Sequence, residues 1–189
     1  ASAAIKELIL DRLGGEAGFY GVLHTNTRKL DYHPHIHFII PGLIINREEK
    51  TCKTITSGFL LKTKPLAKLF RGKMLAELKE LGIYFPGYLY AKEWVIHCQN
   101  VGSGEHACEY LSRYLFRGVI SEKNLKREEN GDISYTYQDR ETKQWKKLRK
   151  SPGDFLNLLK RHVLPKGFRR LREYGFLAPA AKKTLALLR

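Results

Sequence analysis

The run LHTNTRKLDYHPHIHFIIPG, Leu23 to Gly42, constrains this chain more than any other stretch. Within it, His35-Ile36-His37 sets two imidazoles two residues apart among apolar and β-branched residues, closed by Pro41-Gly42. On an extended strand, residues i and i+2 leave the same face. Both rings therefore aim at one target, and Ile36 is expected to turn the other way, into a core. Gly18 to Thr25 reads as a preceding strand, and the short polar link predicts an antiparallel hairpin turning near Lys29 to Asp31. Its pairing brings His24 opposite His35 or His37, on the same face.

Three convergent imidazoles suit a divalent ion, because neutral imidazole is a common ligand. A three-ligand set leaves positions open for water and a phosphate oxygen, which suits catalysis better than a closed structural site. The expected ion is magnesium or manganese, and nitrogen-rich ligation also accepts zinc, cobalt or nickel. His33 is the rival third ligand, but beside Pro34 it is expected to bend the chain instead. His97 and Gln99 share a face of a predicted strand and are weaker candidates; His106 and His162 read as surface or helix-face residues.

A second constellation lies in Tyr110-Leu111-Ser112-Arg113-Tyr114. Tyrosines four apart stack on one helix face, with Arg113 and Arg117 beside them and Cys108, Leu111 and Leu115 as an anchoring stripe. A lone pair at this spacing ordinarily only packs a helix. A phenol with a pKa near 10 is a poor nucleophile unless its proton is removed or its target activated. An ion on a phosphodiester supplies activation, and adjacent cations favour phenolate. Tyrosine attack trades one phosphodiester for another, so no nucleotide cofactor is needed.

Around these motifs, helices are predicted over 3–13, ended by Gly14-Gly15, from Pro65 to Leu81, and from about Glu105 to Arg117. Ser151-Pro152-Gly153-Asp154 reads as a capped start to a helix with Phe155, Leu158, Leu159 and Val163 as its apolar face. A final basic helix is expected near Phe168 to Tyr174. Strands are expected over 53–56, 94–99 and 119–120, and a hairpin over 133–137 and 144–148. No repeat or low-complexity linker divides the chain, so residues 1–189 are expected to form one α/β (α+β) domain.

Charge identifies the class of partner. Lys and Arg number 34 against 19 acids, a net +15, which favours a polyanion, usually nucleic acid. Cations concentrate in Lys62–Lys73, Lys123–Arg127, Arg140–Lys150 and Arg161–Arg172, with Tyr135, Tyr137, Trp145, Phe168 and Tyr174 interleaved among the later ones. Cations on the backbone with aromatics on the bases is how single strands are held; the competing reading of Tyr135 and Trp145 is a cross-strand pair within the sheet. Lys123, Lys126, Arg127, Lys146, Lys147, Arg169 and Arg170, with Arg113 and Arg117, are the expected DNA contacts. The three cysteines, widely spaced and without a CxxC pair, fit buried free thiols in a reducing compartment. No apolar run reaches the ~18 residues of a membrane span.

The segments YHPHIHFIIPG, EYLSRYLFRGVIS and HVLPKGFRRLREYGFLA, in this order between Val22 and Ala178, resemble the HUH rolling-circle transposases with two tyrosines, the insertion-sequence type that moves as single-stranded DNA. The resemblance implies an HUH endonuclease-like antiparallel sheet carrying the histidine pair, with helices packed on it. It implies nicking of single-stranded DNA at transposon ends and target through a 5′-phosphotyrosine, with a free 3′ hydroxyl. Carried over by position, His35 and His37 bind the metal and Tyr110 and Tyr114 are the nucleophiles; His24 matches the family's LHT segment. The amino-terminal cysteine-rich zinc module of such transposases is not evident, as expected of a trimmed chain or a partial copy of the element. The setting implied is bacterial cytoplasm at the nucleoid, as monomer or dimer. A replication initiator or relaxase with the same chemistry, and an inactive DNA-binding fragment, are the open alternatives.

Overall fold

A computed structural model describes residues 1–189 except 57, 59, 103, 107, 108, 110, 111, 113–118, 182 and 185–189. The architecture is mixed α/β, with antiparallel three-stranded sheets and helices, as expected of an HUH-like chain. Its residues pack as two units: Ala1–Gly21 with Phe38–Ala107 and Arg172–Arg189, and Val22–His37 with Cys108–Leu171.

The first unit begins with helix α1 (Ser2–Leu13), which buries Ala4, Ile5, Leu8 and Ile9 as one stripe. Gly14, at φ 68°, ends it by donating its N–H to the Leu10 carbonyl at 3.0 Å, a left-handed cap that glycine adopts without a Cβ clash. Strand β1 (Glu16–Ala17) pairs with β4 (Leu43–Asn46), which pairs with β5 (Thr51–Thr54) from Leu43↔Thr54 to Asn46↔Thr51. The Asn46 side chain accepts from the Glu48 and Glu49 amides and closes that hairpin. Helix α2 (Thr63–Glu80) buries Leu66 and Leu75.

Strands β2 (Phe19–Asn26) and β3 (Tyr32–Ile39) form a hairpin whose sheet continues to β9, Leu171–Tyr174, in the order β3-β2-β9. In the first unit these strands supply Phe19, Phe38 and Tyr174 to the core that α1 covers. Fully buried Phe19 stacks on Tyr174 at 4.9 Å and meets Phe38 edge-on at 5.7 Å. Burying one such ring contributes roughly 1.5–3 kcal/mol.

The second unit holds the sheet β6 (Leu125–Arg127), β7 (Ile133–Gln138) and β8 (Trp145–Lys150), in that order. Helix α3 (Pro152–Lys160) starts on Ser151, whose hydroxyl accepts the Asp154 amide at 3.2 Å while the Asp154 carboxylate accepts from that hydroxyl at 2.9 Å. Leu30, Tyr135, Tyr137 and Phe155 form the second core, with Val119, Ile120, Leu148, Leu158 and Leu159 packed on it.

Several expected elements differ. Residues 94–99 alternate in burial as a strand does, with Trp94 edge-on to Phe70 at 5.3 Å, but no described strand pairs with them. Val119 and Ile120 form a bend. No helix forms over the expected 168–174; Leu171–Tyr174 is instead β9, because Tyr174 stacks on Phe19 and tertiary pairing outweighs a short basic segment's helix preference. Val163 lies beyond the end of α3 and is 73% exposed. Strand β4, unanticipated, buries Ile44 and Ile45. Cys52 is exposed rather than buried. In the expected helix near 105–117, residues 104–106, 109 and 112 are helical; Tyr110, Arg113, Tyr114 and Arg117 lie outside the described residues.

Gly175 sits at φ 59°, and a Cβ there would lie 1.8 Å from the Ala17 carbonyl oxygen. Gly175→Ala combines a left-handed alanine with a backbone clash, so it should destabilise the protein by about 2–4 kcal/mol. Urea unfolding measures this; Gly72→Ala, mid-helix with open space around its Cβ position, should be neutral or stabilising.

Candidate metal centre

The β2–β3 hairpin brings His24, His35 and His37 together as a group that could hold a metal ion. Their ring centroids lie 4.7 Å apart for His24–His37, 4.9 Å for His35–His37 and 5.5 Å for His24–His35. One nitrogen from each ring falls within 4.8 Å of the others. An ion bound at ~2.1 Å would hold three such nitrogens ~3–3.5 Å apart. Small side-chain rotations suffice to close the cluster, so the donor set fits a divalent ion. All three rings are half-buried, which leaves one side open to a ligand.

Local chemistry assigns His35 its tautomer. Its Nδ1 lies 2.7 Å from the His33 carbonyl oxygen. A carbonyl only accepts, so Nδ1 carries the proton and Nε2 presents its lone pair. His33 thus contributes its backbone, and its own exposed ring stays outside the cluster. Burial, then His35, then Arg140 hold the His37 imidazole below its ordinary range, favouring the neutral form a metal requires. Pro34 lies on β3, which ends the strand order of its sheet, the position within a sheet where proline is tolerated. Ile36, expected in a core, is 45% exposed; it lies on the same face of the strand as Phe38, which alone packs into the first core.

The turn of the hairpin is fixed by a residue that reads as surface in the sequence. His162 is 5% exposed, and its Nε2 lies 2.9 Å from the Leu30 carbonyl oxygen. Nε2 must donate there, so Nδ1 accepts the Thr25 hydroxyl at 3.2 Å. Thr25 adjoins His24. Leu30 adopts φ 69° with its side chain completely buried; burial offsets the ~1–2 kcal/mol cost of that conformation. The only sequence signal for His162 is its position two residues beyond Lys160, where α3 ends.

Lys123, Lys126, Arg127 and Arg169 are exposed, and Arg170 is half-buried, its carbonyl accepting the Leu23 amide at 3.0 Å. Lys146 and Lys147 are exposed but ion-paired, with Asp139 at 2.7 Å and Glu128 at 2.5 Å. Tyr135 and Tyr137 belong to the second core and Tyr174 to the first, so none of these three is a base-stacking surface. Tyr135 faces Leu148, not Trp145, across the ladder.

The sequence model of a family described as "Putative transposase" matches residues 18–184. The chain is 32% identical over 187 residues to "Putative transposase y4qJ" of Sinorhizobium fredii, covering 87% of this chain and 47% of that protein. It is 29% identical over 188 residues to "Transposase for insertion sequence element IS801" of Pseudomonas savastanoi pv. phaseolicola, covering 88% and 45%. The chain thus spans about half the length of these curated relatives. No solved structure matches.

Cobalt(II) should bind the triad and give a visible absorption band, abolished in His35→Ala/His37→Ala. Affinity should be full above about pH 7 and fall as the pH drops through the histidine range near 6.5. Without metal, the depressed His37 pKa makes the folded state resist a proton that the unfolded chain accepts. Stability contributed by His37 is therefore present above pH ~6.5 and lost as pH falls through its lower folded value; His37→Asn should flatten that loss in thermal melts.

His162→Ala leaves the Leu30 carbonyl and Thr25 hydroxyl without their partner, and should cost about 1–3 kcal/mol with weaker cobalt binding. His162→Gln should retain part of both. Unchanged cobalt affinity in a folded His162→Ala would show that the brace does not position His24.

Proposed function

Because the chain belongs to the "Putative transposase" family, we propose that it is a metal-dependent nickase and strand transferase of single-stranded DNA, acting in rolling-circle transposition. The observation that carries this reading is the His24–His35–His37 cluster on the hairpin, inside residues 18–184 that match the transposase family. Residues 1–189 are then the catalytic portion, working on transposon ends and target strands at the bacterial nucleoid.

His24, His35 and His37 would hold a magnesium or manganese ion, which would neutralise charge on the scissile phosphate and polarise it toward attack. The His33 carbonyl, through Nδ1–H of His35, keeps the Nε2 lone pair directed outward. Tyr110 or Tyr114 is the nucleophile. Its phenolic oxygen forms the new bond to phosphorus, the bond from phosphorus to the 3′ oxygen breaks, and that oxygen leaves to take up a proton as the phenol loses one. The products are a 5′-phosphotyrosine and a free 3′ hydroxyl. Attack by another 3′ hydroxyl on the phosphotyrosine reverses the exchange onto a new strand and releases the tyrosine. Phosphodiester bonds are conserved throughout, so no external energy source is required. Arg113 and Arg117 favour the phenolate, and Lys123, Lys126, Arg127, Arg169 and Arg170 lie among the cations that meet the backbone. Val119 and Ile120, just after the tyrosine segment in sequence, pack on the core that contains Leu30 of the hairpin turn, a further support for a shared centre.

A labelled single strand carrying the element's end, incubated with protein and magnesium or manganese, should yield a denaturant-resistant protein–DNA band. Tyr110→Phe with Tyr114→Phe should abolish it, and His35→Ala with His37→Ala should remove it while much of the DNA binding persists. A band that survives the double Tyr→Phe change overturns the nucleophile assignment. An absent band with intact binding in the unmodified protein favours an inactive DNA-binding fragment.

A further inference from the structure

We infer that single-stranded DNA reaches the histidine cluster across the outer face of the β6-β7-β8 sheet, with a base stacked on Trp145 and phosphates on Lys126, Lys147 and Arg149. This deepens the single-stranded DNA reading above and rests on it.

The ladder separates the two faces of this sheet. Ile133, Tyr135 and Tyr137 share one face with Leu125 and Leu148, and that face is the second core. On the other face, Lys126 pairs with Ser134, Ser134 with Arg149, Thr136 with Lys147 and Gln138 with Trp145. Directly paired residues share a face. The outer face is therefore a floor of Ser134, Thr136 and Gln138 with three cations and one indole standing on it. Trp145 is 65% exposed, an unusual solvent cost for tryptophan unless a partner covers the ring. From Trp145 to Arg149 the strand spans about 13 Å, room for a short run of nucleotides.

One contact directs this face toward the cluster, within one unit. The Arg28 guanidinium, on the turn between the histidine-bearing strands, lies 3.4 Å from both the backbone and the side-chain oxygen of Gln138. Gln138 is the cross-strand neighbour of Trp145. The Trp145 end of the face thus adjoins the histidine hairpin.

Charge on the face is arranged rather than scattered. Lys147, then the Ser134 hydroxyl, hold the Glu128 carboxyl at about 2, so it is ionised at any working pH. It pairs with Lys147 at 2.5 Å and Arg149 at 3.8 Å, keeping both cations over the floor. The Glu128 side chain is only 16% exposed, whereas those of Lys147 and Arg149 are 46% and 54% exposed, so a phosphate can reach both cations from the solvent side with the carboxylate still beneath them. Lys146 and Lys150 alternate onto the other face, and Lys146 is held by Asp139.

The test is binding without metal, in EDTA, so that it stands apart from cleavage. In a Trp94→Phe background, a short mixed-sequence single strand should quench the Trp145 fluorescence, and duplex of the same sequence should quench it far less. Trp145→Ala should weaken single-strand binding about ten-fold. Lys126→Gln with Arg149→Gln should lower the salt-dependence slope by about 1.4, more than twice the effect of Lys146→Gln with Lys150→Gln. Equal quenching by duplex, or equal slope changes for the two pairs, overturns the assignment of this face. Loss of quenching with DNA–protein adduct still formed refutes the path and leaves the nickase standing; quenching without adduct does the reverse.

Discussion

The closed end of the β2–β3 hairpin is the constraint on which the candidate metal centre depends. Metal ligands must converge within a few ångströms, yet a two-stranded ribbon is only marginally stable by itself. Here the turn is tied by backbone bonds between Thr27, Leu30 and Asp31, and by the Thr27 hydroxyl accepting the Asp31 amide. Leu30 then fixes it to a core. A glycine would adopt φ 69° at lower conformational cost but would bring no side chain to bury, so the strained leucine makes the turn a packing element as well as a bend. His162 completes the arrangement by satisfying a buried carbonyl and hydroxyl that would otherwise be costly.

The same hairpin shows why His35 and His37 lie on the strand that ends the order β3-β2-β9. A central strand would be covered on both sides by neighbours and could not hold Pro34 without losing a ladder bond. β3 has a neighbour on one side only, where proline is tolerated, and the imidazoles on both strands stay half-exposed. Accessibility and pre-organisation usually oppose each other; here the His33 carbonyl supplies orientation to His35 from within the strand itself, so the open side need not be covered.

What could be read from the sequence followed the range of the interactions involved. The histidine pair, its hairpin partner His24, helix α1 with its glycine stop, the Ser151 cap and the β7–β8 hairpin are all encoded within a few residues, and each stands where the pattern placed it. Residues 94–99 show the limit: their alternation is genuine, since Trp94, Ile96 and Cys98 turn inward, but alternation reports burial and not a partner strand. Leu171–Tyr174 became a strand through pairing with β2, a segment far away in sequence. His162 was illegible for the same reason, because the groups that bury it, Thr25 and Leu30, come from the opposite end of the chain.

Charge illustrates a related distinction between amount and placement. A surplus of +15 announces a polyanionic partner but does not say which cations meet it. Asp139 pairs with Lys146 and also caps the β7–β8 turn by accepting the Glu141 and Thr142 amides, so that lysine serves the hairpin's geometry. Glu128, only 16% exposed, accepts from Lys147, whose own side chain stays 46% exposed. One acid ties its cation to a turn, and the other holds its cation over the outer face of the sheet, where a phosphate can also reach it. The alternation of a two-residue repeat, applied to the run Trp145-Lys146-Lys147-Leu148-Arg149-Lys150, sorts these roles without any change in composition. Lys146 and Lys147 are neighbours of identical charge, and the pleat alone sends them to opposite faces.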